Sequence, residues 1–184
     1  MARMGLDTAK VVDAAAGIVD RDGLGALTLA RVAREVGVRA PSLYNHVEGL
    51  DDLERRLGLR GLEVLGHECR SAVMGRVGSD ALVAAMSAYR RVAAEHPGLY
   101  RLTQAVPSTE DPEWDRASDA IVEAVLAVLS GYGLEGDDAI HAARTIRSAL
   151  HGFALLESEN GFGLRQDVDE SFRFLVTTID RGLR

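Results

Sequence analysis

The residues with the most chemistry to offer lie in one stretch, LTLARVAREVGVRAPSLYNHV, from Leu27 to Val47. Its apolar positions fall at helical spacing on either side of Gly37-Val38-Arg39: Val32, Ala33 and Val36 before it, Leu43 and Val47 after it. Two short helices joined by a turn satisfy that pattern, and Ala33 is small where the second must cross the first closely. Arg39, Ala40, Pro41, Ser42 and Asn45 then lie on the leading side of the second helix. This is the chemistry of a helix-turn-helix, which lays its second helix in the major groove of DNA. Asn45 can pair bidentately with adenine, while Ala40 and Pro41 can meet thymine methyl groups. The bland alternative is a helical hairpin in which Tyr44 and His46 merely pack, which leaves the polar residues of the unit without a purpose.

Nothing else in the chain offers catalytic or metal chemistry. His67, Glu68 and Cys69 are consecutive, so on a helix they point in different directions and make no dyad. His141 and His151 fall on different faces of one helix, and His96, just before a proline, reads as a helix-end residue. No zinc-protease, nucleophile-elbow or phosphate-loop motif occurs. No enzyme activity, metal or cofactor is expected. The single cysteine excludes an intramolecular disulfide. No run approaches the ~18 apolar residues of a membrane span, and the N-terminus has no apolar signal-peptide core. A cytoplasmic protein with no membrane partner is expected.

The elements that must position the stretch are helical throughout. Val11, Ala15, Ile18 and Val19 share one face, capped at Asp7-Thr8 and ended by Gly23 and Gly25. Thr28 caps a short helix to Val36. Pro41 suits the first turn of the next, through Val47, and Leu50, Leu53, Leu57 and Val64 mark a fourth. Ser79 caps a helix to His96, where Pro97-Gly98 breaks it, and Val106 to Pro112 reads as a loop. Trp114 to Tyr132 is apolar on nearly all sides, as a central buried helix would be. A helix from Asp137 to about Glu159, a break at Asn160-Gly161-Phe162-Gly163 and a last helix through Leu183 complete the chain. The fold expected is all-α, with about nine helices.

Charge divides the chain. The formal net charge of −7 argues against nucleic acid as a partner when taken whole. Yet Met1 to Arg60 holds nine basic and nine acidic residues, so the net charge of −7 lies entirely in the remainder. The segment Thr28 to Val47 carries a local excess of cations, Arg31, Arg34 and Arg39 against Glu35. A neutral head joined to an acidic remainder is expected to bind DNA with steep salt dependence. Lys10 is the only lysine among the 21 basic residues.

Thr28, Ala33, Gly37, Val38, Pro41, Ser42, Leu43, Tyr44, His46 and Val47 together resemble the N-terminal domain of the tetracycline-repressor (TetR/AcrR) family of transcriptional regulators, over roughly Thr8 to Leu65. The resemblance implies that Tyr44, His46 and the Thr28 hydroxyl contact DNA phosphates, fixing register without carrying sequence information. Arg31 is either a further phosphate ligand or a solvated face residue. Many relatives place a lysine or arginine after the His-Val pair; here the chain reads Glu48-Gly49-Leu50-Asp51-Asp52. Backbone N–H groups of Gly49 and Leu50 can substitute at a helix N-terminus, with Asp51 and Asp52 opposing a nearby phosphate.

Ile146 to Leu183 is similar to the ligand-binding and dimerisation half of one branch of that family. His151-Gly152 match the branch pattern, and Arg147 stands where tryptophan is usual. The resemblance implies a homodimer on a palindromic operator and an unknown small-molecule effector. Dimer contacts are expected from Ile146, Leu150, Phe172, Val176, Ile179 and Leu183; the same stripe alternatively covers the chain's own core. Met86, Tyr89, Arg90, Tyr100, Trp114, Phe153 and Glu157 are the candidates for an effector cavity, each also a plausible core residue. Gly58, Gly61 and Gly66 make the helix from Leu50 to Arg70 either a compliant lever or a closely packed one. The division expected is a DNA-binding domain at 1–50, a connecting helix at about 50–70 and a sensing domain at 71–184. The function implied is a ligand-released repressor; the alternatives are an activator of the same family or a helical protein-interaction module.

Overall fold

The computed structural model describes residues 6–105 and 110–184, and Val106 to Thr109 of the expected loop lie outside them. Among the described residues the regular structure is all helical: α1 (Thr8–Asp22), α2 (Leu29–Glu35), α3 (Leu50–Val73), α4 (Gly78–Glu95), α5 (Pro97–Leu102), α6 (Pro112–Ser130), α7 (Gly136–Ser158) and α8 (Val168–Gly182). Two 3-10 segments, Leu24–Ala26 and Ala40–Asn45, join them. The chain forms two compact units, Met1–Leu62 with Glu95–Asp111, and Glu63–Ala94 with Pro112–Arg184.

The first unit is built on α1. Asp7 accepts the Lys10 N–H at 2.8 Å to start it, and Gly23, at φ +80°, ends it. Ile18, Val32, Leu43, Leu53 and Leu57 are wholly buried in one core. Leu99 and Leu102 of α5 join that core. α5 follows the break expected at Pro97, where proline suits the first turn of a new helix. Its orphan amides are satisfied from α1: the Asp20 carboxylate accepts from Gly98 N at 2.9 Å and Leu99 N at 3.0 Å, and lies 2.9 Å from His96 Nδ1. A Cβ on Gly98 would collide with the Val19 carbonyl group, so only glycine permits this approach. A Cβ on Gly61 would stand 2.6 Å from Thr103 Cγ2 and 2.9 Å from Leu99 O, so that glycine serves close packing. Buried Asp111 ends the returning segment in a bidentate pair with Arg55, at 2.5 and 2.7 Å.

In the second unit α6 packs on α7, and α7 on α8. The expectation of a central, fully buried α6 is not met. Val122 is 44% exposed, and Ile121, Val125 and Leu126 are half-buried. Apolar residues all round a helix report composition; they do not report how many neighbours surround it. Ser79 lies inside α4, where its hydroxyl donates to Asp180 Oδ1 at 2.5 Å.

Tyr132 OH donates to the same Asp180 oxygen at 2.5 Å, and Arg184 bonds Oδ2 at 3.1 Å. The hydrogen bonds from Ser79 and Tyr132, then Arg184, hold the Asp180 carboxyl at about 2. That lies below the ~3.9 of an unfolded chain. The group therefore contributes stability above about pH 4 and loses it as pH falls towards 2. Asp180→Asn is expected to melt below the native protein at neutral pH, with the gap closing across that window. A gap that stays constant in thermal melts down to the acid end would refute it.

Candidate nucleic-acid interface

Thr28 caps α2 by accepting the Arg31 N–H at 3.2 Å. At the other end Gly37 takes φ +72°, Gly37 N donates to Arg34 O at 3.2 Å and Val38 N to Ala33 O at 2.9 Å. That pair of bonds is a Schellman closure, which requires the left-handed residue that glycine supplies. It turns the chain so that the next segment crosses α2 at Ala33.

The segment expected to be an α-helix from Pro41 is instead a 3-10 helix, Ala40–Asn45. Pro41 has no N–H to donate, and the first bond is Ser42 N to Arg39 O at 2.9 Å; six residues suit the tighter winding. The anchoring residues are as expected, with Leu43 fully buried and Val47 nearly so. Arg39, Pro41, Tyr44 and Asn45 are exposed, and Ala40, Ser42 and His46 are half-buried. Tyr44, at 62% exposure, makes the hairpin in which it merely packs untenable. The Thr8 hydroxyl donates to the His46 backbone oxygen at 3.4 Å, tying the end of the segment to α1.

Gly49 and Leu50 are half-buried at the start of α3. Asp52, expected to oppose a phosphate there, is turned back. It accepts the Glu48 N–H at 3.0 Å and pairs with Arg56 at 3.0 Å. Partial burial raises its pKa, but these two partners outweigh that and leave it below the ordinary carboxylate value. Only Asp51 of the two stays exposed.

Arg31 pairs with Asp22 at 2.5 Å. Arg34 and Arg39 are exposed and make no ion pair among the described residues. Arg34 is not among the DNA-facing residues expected from sequence. Its signal is an exposed cation three residues beyond Arg31 on the same helical face.

The effector-cavity candidates separate. Tyr100 belongs to the first unit, and the others to the second. Met86, Tyr89 and Trp114 are buried. Arg90, Phe153 and Glu157 come together: Arg90 Nε donates to Glu157 at 2.9 Å, and its other terminus reaches Asp169 at 2.7 Å. The Arg90 guanidinium lies 4.7 Å over Phe172 and 5.4 Å over Phe153. Its charge is thus committed inside the chain, and the Glu157 hydrogen bond raises its pKa further. Phe153 also packs against Phe162 at 4.9 Å between centroids.

Of the six residues of the expected dimer stripe, Ile146, Leu150, Phe172 and Val176 are buried in the single chain, as the alternative of a stripe that covers the chain's own core has them. Ile179 and Leu183 are half-buried. Burial pushes the Cys69 thiol up to about 11, so it stays protonated at neutral pH. Among the described residues no three His, Cys, Asp or Glu are grouped to hold a metal, and no helix is long and apolar enough to cross a membrane.

Comparison with known proteins agrees with this arrangement. Residues 82–179 match the family described as "Tetracyclin repressor-like, C-terminal domain". The chain is 38% identical to the HTH-type transcriptional regulator YobS of Bacillus subtilis over 98% of its own length and 94% of that protein's. It is also 38% identical to an HTH-type transcriptional regulator of Mycobacterium tuberculosis, over 89% of this chain and 74% of that one. A TetR variant from Acinetobacter baumannii, solved in complex with minocycline, shares the fold at a TM-score of 0.72 and 20% identity, covering 97% of this chain and 96% of the other. The chain belongs to the tetracycline-repressor-like family of helix-turn-helix transcriptional regulators.

Proposed function

We propose that this chain binds a palindromic operator as a homodimer, represses transcription there, and is released when a small molecule occupies its second unit. The observation that carries the DNA-binding reading is the segment Arg39 to His46: Leu43 anchors it while Arg39, Pro41, Tyr44 and Asn45 stand exposed. In this reading Arg39, Ala40, Pro41, Ser42 and Asn45 face base edges. Thr28, Tyr44, His46 and the amides of Gly49 and Leu50 hold phosphates. Residues 1–50, joined by Glu95–Asp111 of the same unit, form the DNA-reading domain, about 50–70 the connecting helix, and the rest of 71–184 the sensing and dimerising domain. The protein acts in the cytoplasm by binding, without catalysis. The minocycline complex of the TetR variant supports a small organic effector for this chain.

A homodimer contact fits the outer faces of α7 and α8. Phe174 is 75% exposed, and Leu155 and Leu156 are exposed as well. Thr177 and Thr178 spend their hydroxyls on the Arg173 and Phe174 carbonyls of their own helix, at 2.8 Å each. Their methyl groups are left to widen the apolar face around Phe174, which one buried core has no use for.

Fluorescence anisotropy with the DNA upstream of the protein's own gene, against a scrambled duplex of equal length, tests the operator. Tighter binding to the former by about three orders of magnitude is expected. Light scattering should give twice the chain mass, and Phe174→Glu should halve it while keeping the helical circular dichroism. A monomeric native protein without operator preference would sink the proposal.

A further inference from the structure

Arg31 and Asp22 meet across the turn between α1 and α2, Arg31 Nη2 donating to Asp22 Oδ2 at 2.5 Å. Arg21 Nε donates to the same oxygen at 3.0 Å and lies 3.9 Å from Glu35. Two cations therefore share one carboxylate oxygen, and every member of the group keeps access to water. Asp22 is the last residue of α1, where the helix dipole opposes a negative charge. The local helix gains nothing from an acid at that position. Arg31 lies in the first turn of α2, beside the exposed Thr28 hydroxyl that caps it.

We propose that Asp22 is a built-in competitor for DNA phosphate on Arg31. The inference rests on the DNA-binding reading above and goes beyond it, by naming a residue that lowers affinity. A carboxylate and a phosphate oxygen ask the same of a guanidinium: charge-assisted N–H donation. While Asp22 holds Nη2, a phosphate meets Arg31 with one donor committed and a negative charge directly behind it. Arg31 is then a partial phosphate ligand, in contrast to Arg34 and Arg39, which no acid engages among the described residues. The acid trims non-specific attraction, a sequence-independent term carried by the phosphates. Because a phosphate contact carries no sequence information, operator and random-sequence affinity fall together.

Asp22→Asn removes the charge and keeps the shape. On a labelled random-sequence duplex, affinity at low salt is expected to rise roughly two- to fivefold for each reading head engaged, the range of an exposed ion pair. The slope of log affinity against log salt should steepen by about 0.9 for each reading head, because Arg31 then neutralises one further phosphate. Arg31→Ala should lower affinity slightly, and in that background Asp22→Asn should give no gain. Circular dichroism melts check that both variants fold. A loss of affinity in Asp22→Asn would overturn the inference, because Asp22 would then orient Arg31 towards DNA. An equal gain with and without Arg31 would overturn it too, since the charge would act on the whole face. If the native protein binds no duplex at any salt, the DNA-binding reading itself fails; if it binds and Asp22→Asn changes nothing, this inference alone is lost.

Discussion

Replacing Tyr44 and His46 together with alanine is expected to weaken operator binding by about three orders of magnitude, from hydrogen bonds of ~1 kcal/mol each lost in both heads of a dimer. The melting temperature should stay within a degree or two. Tyr44 is 62% exposed, so truncating it opens no cavity. His46 serves α1 through its backbone oxygen, which accepts from Thr8 and survives the substitution. The buried members of the segment, Leu43 and Val47, are untouched. Because phosphate contacts position and do not specify, the ratio of operator to scrambled binding should hardly change. That separates these two side chains from Asn45, whose loss should erode the ratio. A collapse of the melting temperature would return Tyr44 and His46 to a packing role, and unchanged affinity would remove them from the interface.

The reading head is legible in sequence because each of its decisions is local. Gly37 closes α2 with a bond pattern that needs a left-handed residue, and Leu43 and Val47 fall where a crossing segment must anchor. What sequence withholds is non-local. α5 is only six residues long, too short for a period to show, and its amides are satisfied by Asp20 on a distant helix. Pro97-Gly98 therefore marks an end without revealing a beginning. Periodicity also locates an apolar face without saying what covers it. Phe172 and Val176 form the richest stripe of α8 and are buried by their own chain, while Phe174, off that stripe, stands exposed. The sign of Asp52 is readable and its partners are not, for the Glu48 amide and Arg56 hold it within the first turn of α3. The same holds for Arg31, whose partner Asp22 comes from another helix.

Gly98→Ala is expected to destabilise the first unit by about 3 kcal/mol, the upper end of ordinary overpacking, although alanine is the better helix former. The obstacle is backbone: the new Cβ would overlap the Val19 carbonyl group and stand 2.7 Å from Val19 Cβ. A flexible side chain could swing aside, but the Val19 carbonyl, in the last turn of α1 and bonded to Gly23 N at 3.0 Å, moves only if α1 or α5 moves. If α5 retreats, Gly98 N and Leu99 N leave the Asp20 carboxylate, and Leu99 and Leu102 lift from the core they share with Ile18 and Leu57. Unsatisfied amides and a loosened core then add to the cost. Gly17 provides the control in α1, the helix that Gly98 approaches, exposed and with nothing within 4 Å of an added Cβ. Gly17→Ala should stabilise by about 0.5–1 kcal/mol through lower unfolded-chain entropy. Urea unfolding followed by circular dichroism reads both, and the two midpoints should move in opposite directions. Equal midpoints for Gly98→Ala and the native protein would mean that α5 does not sit against α1, and that the returning segment is no part of the DNA-reading core.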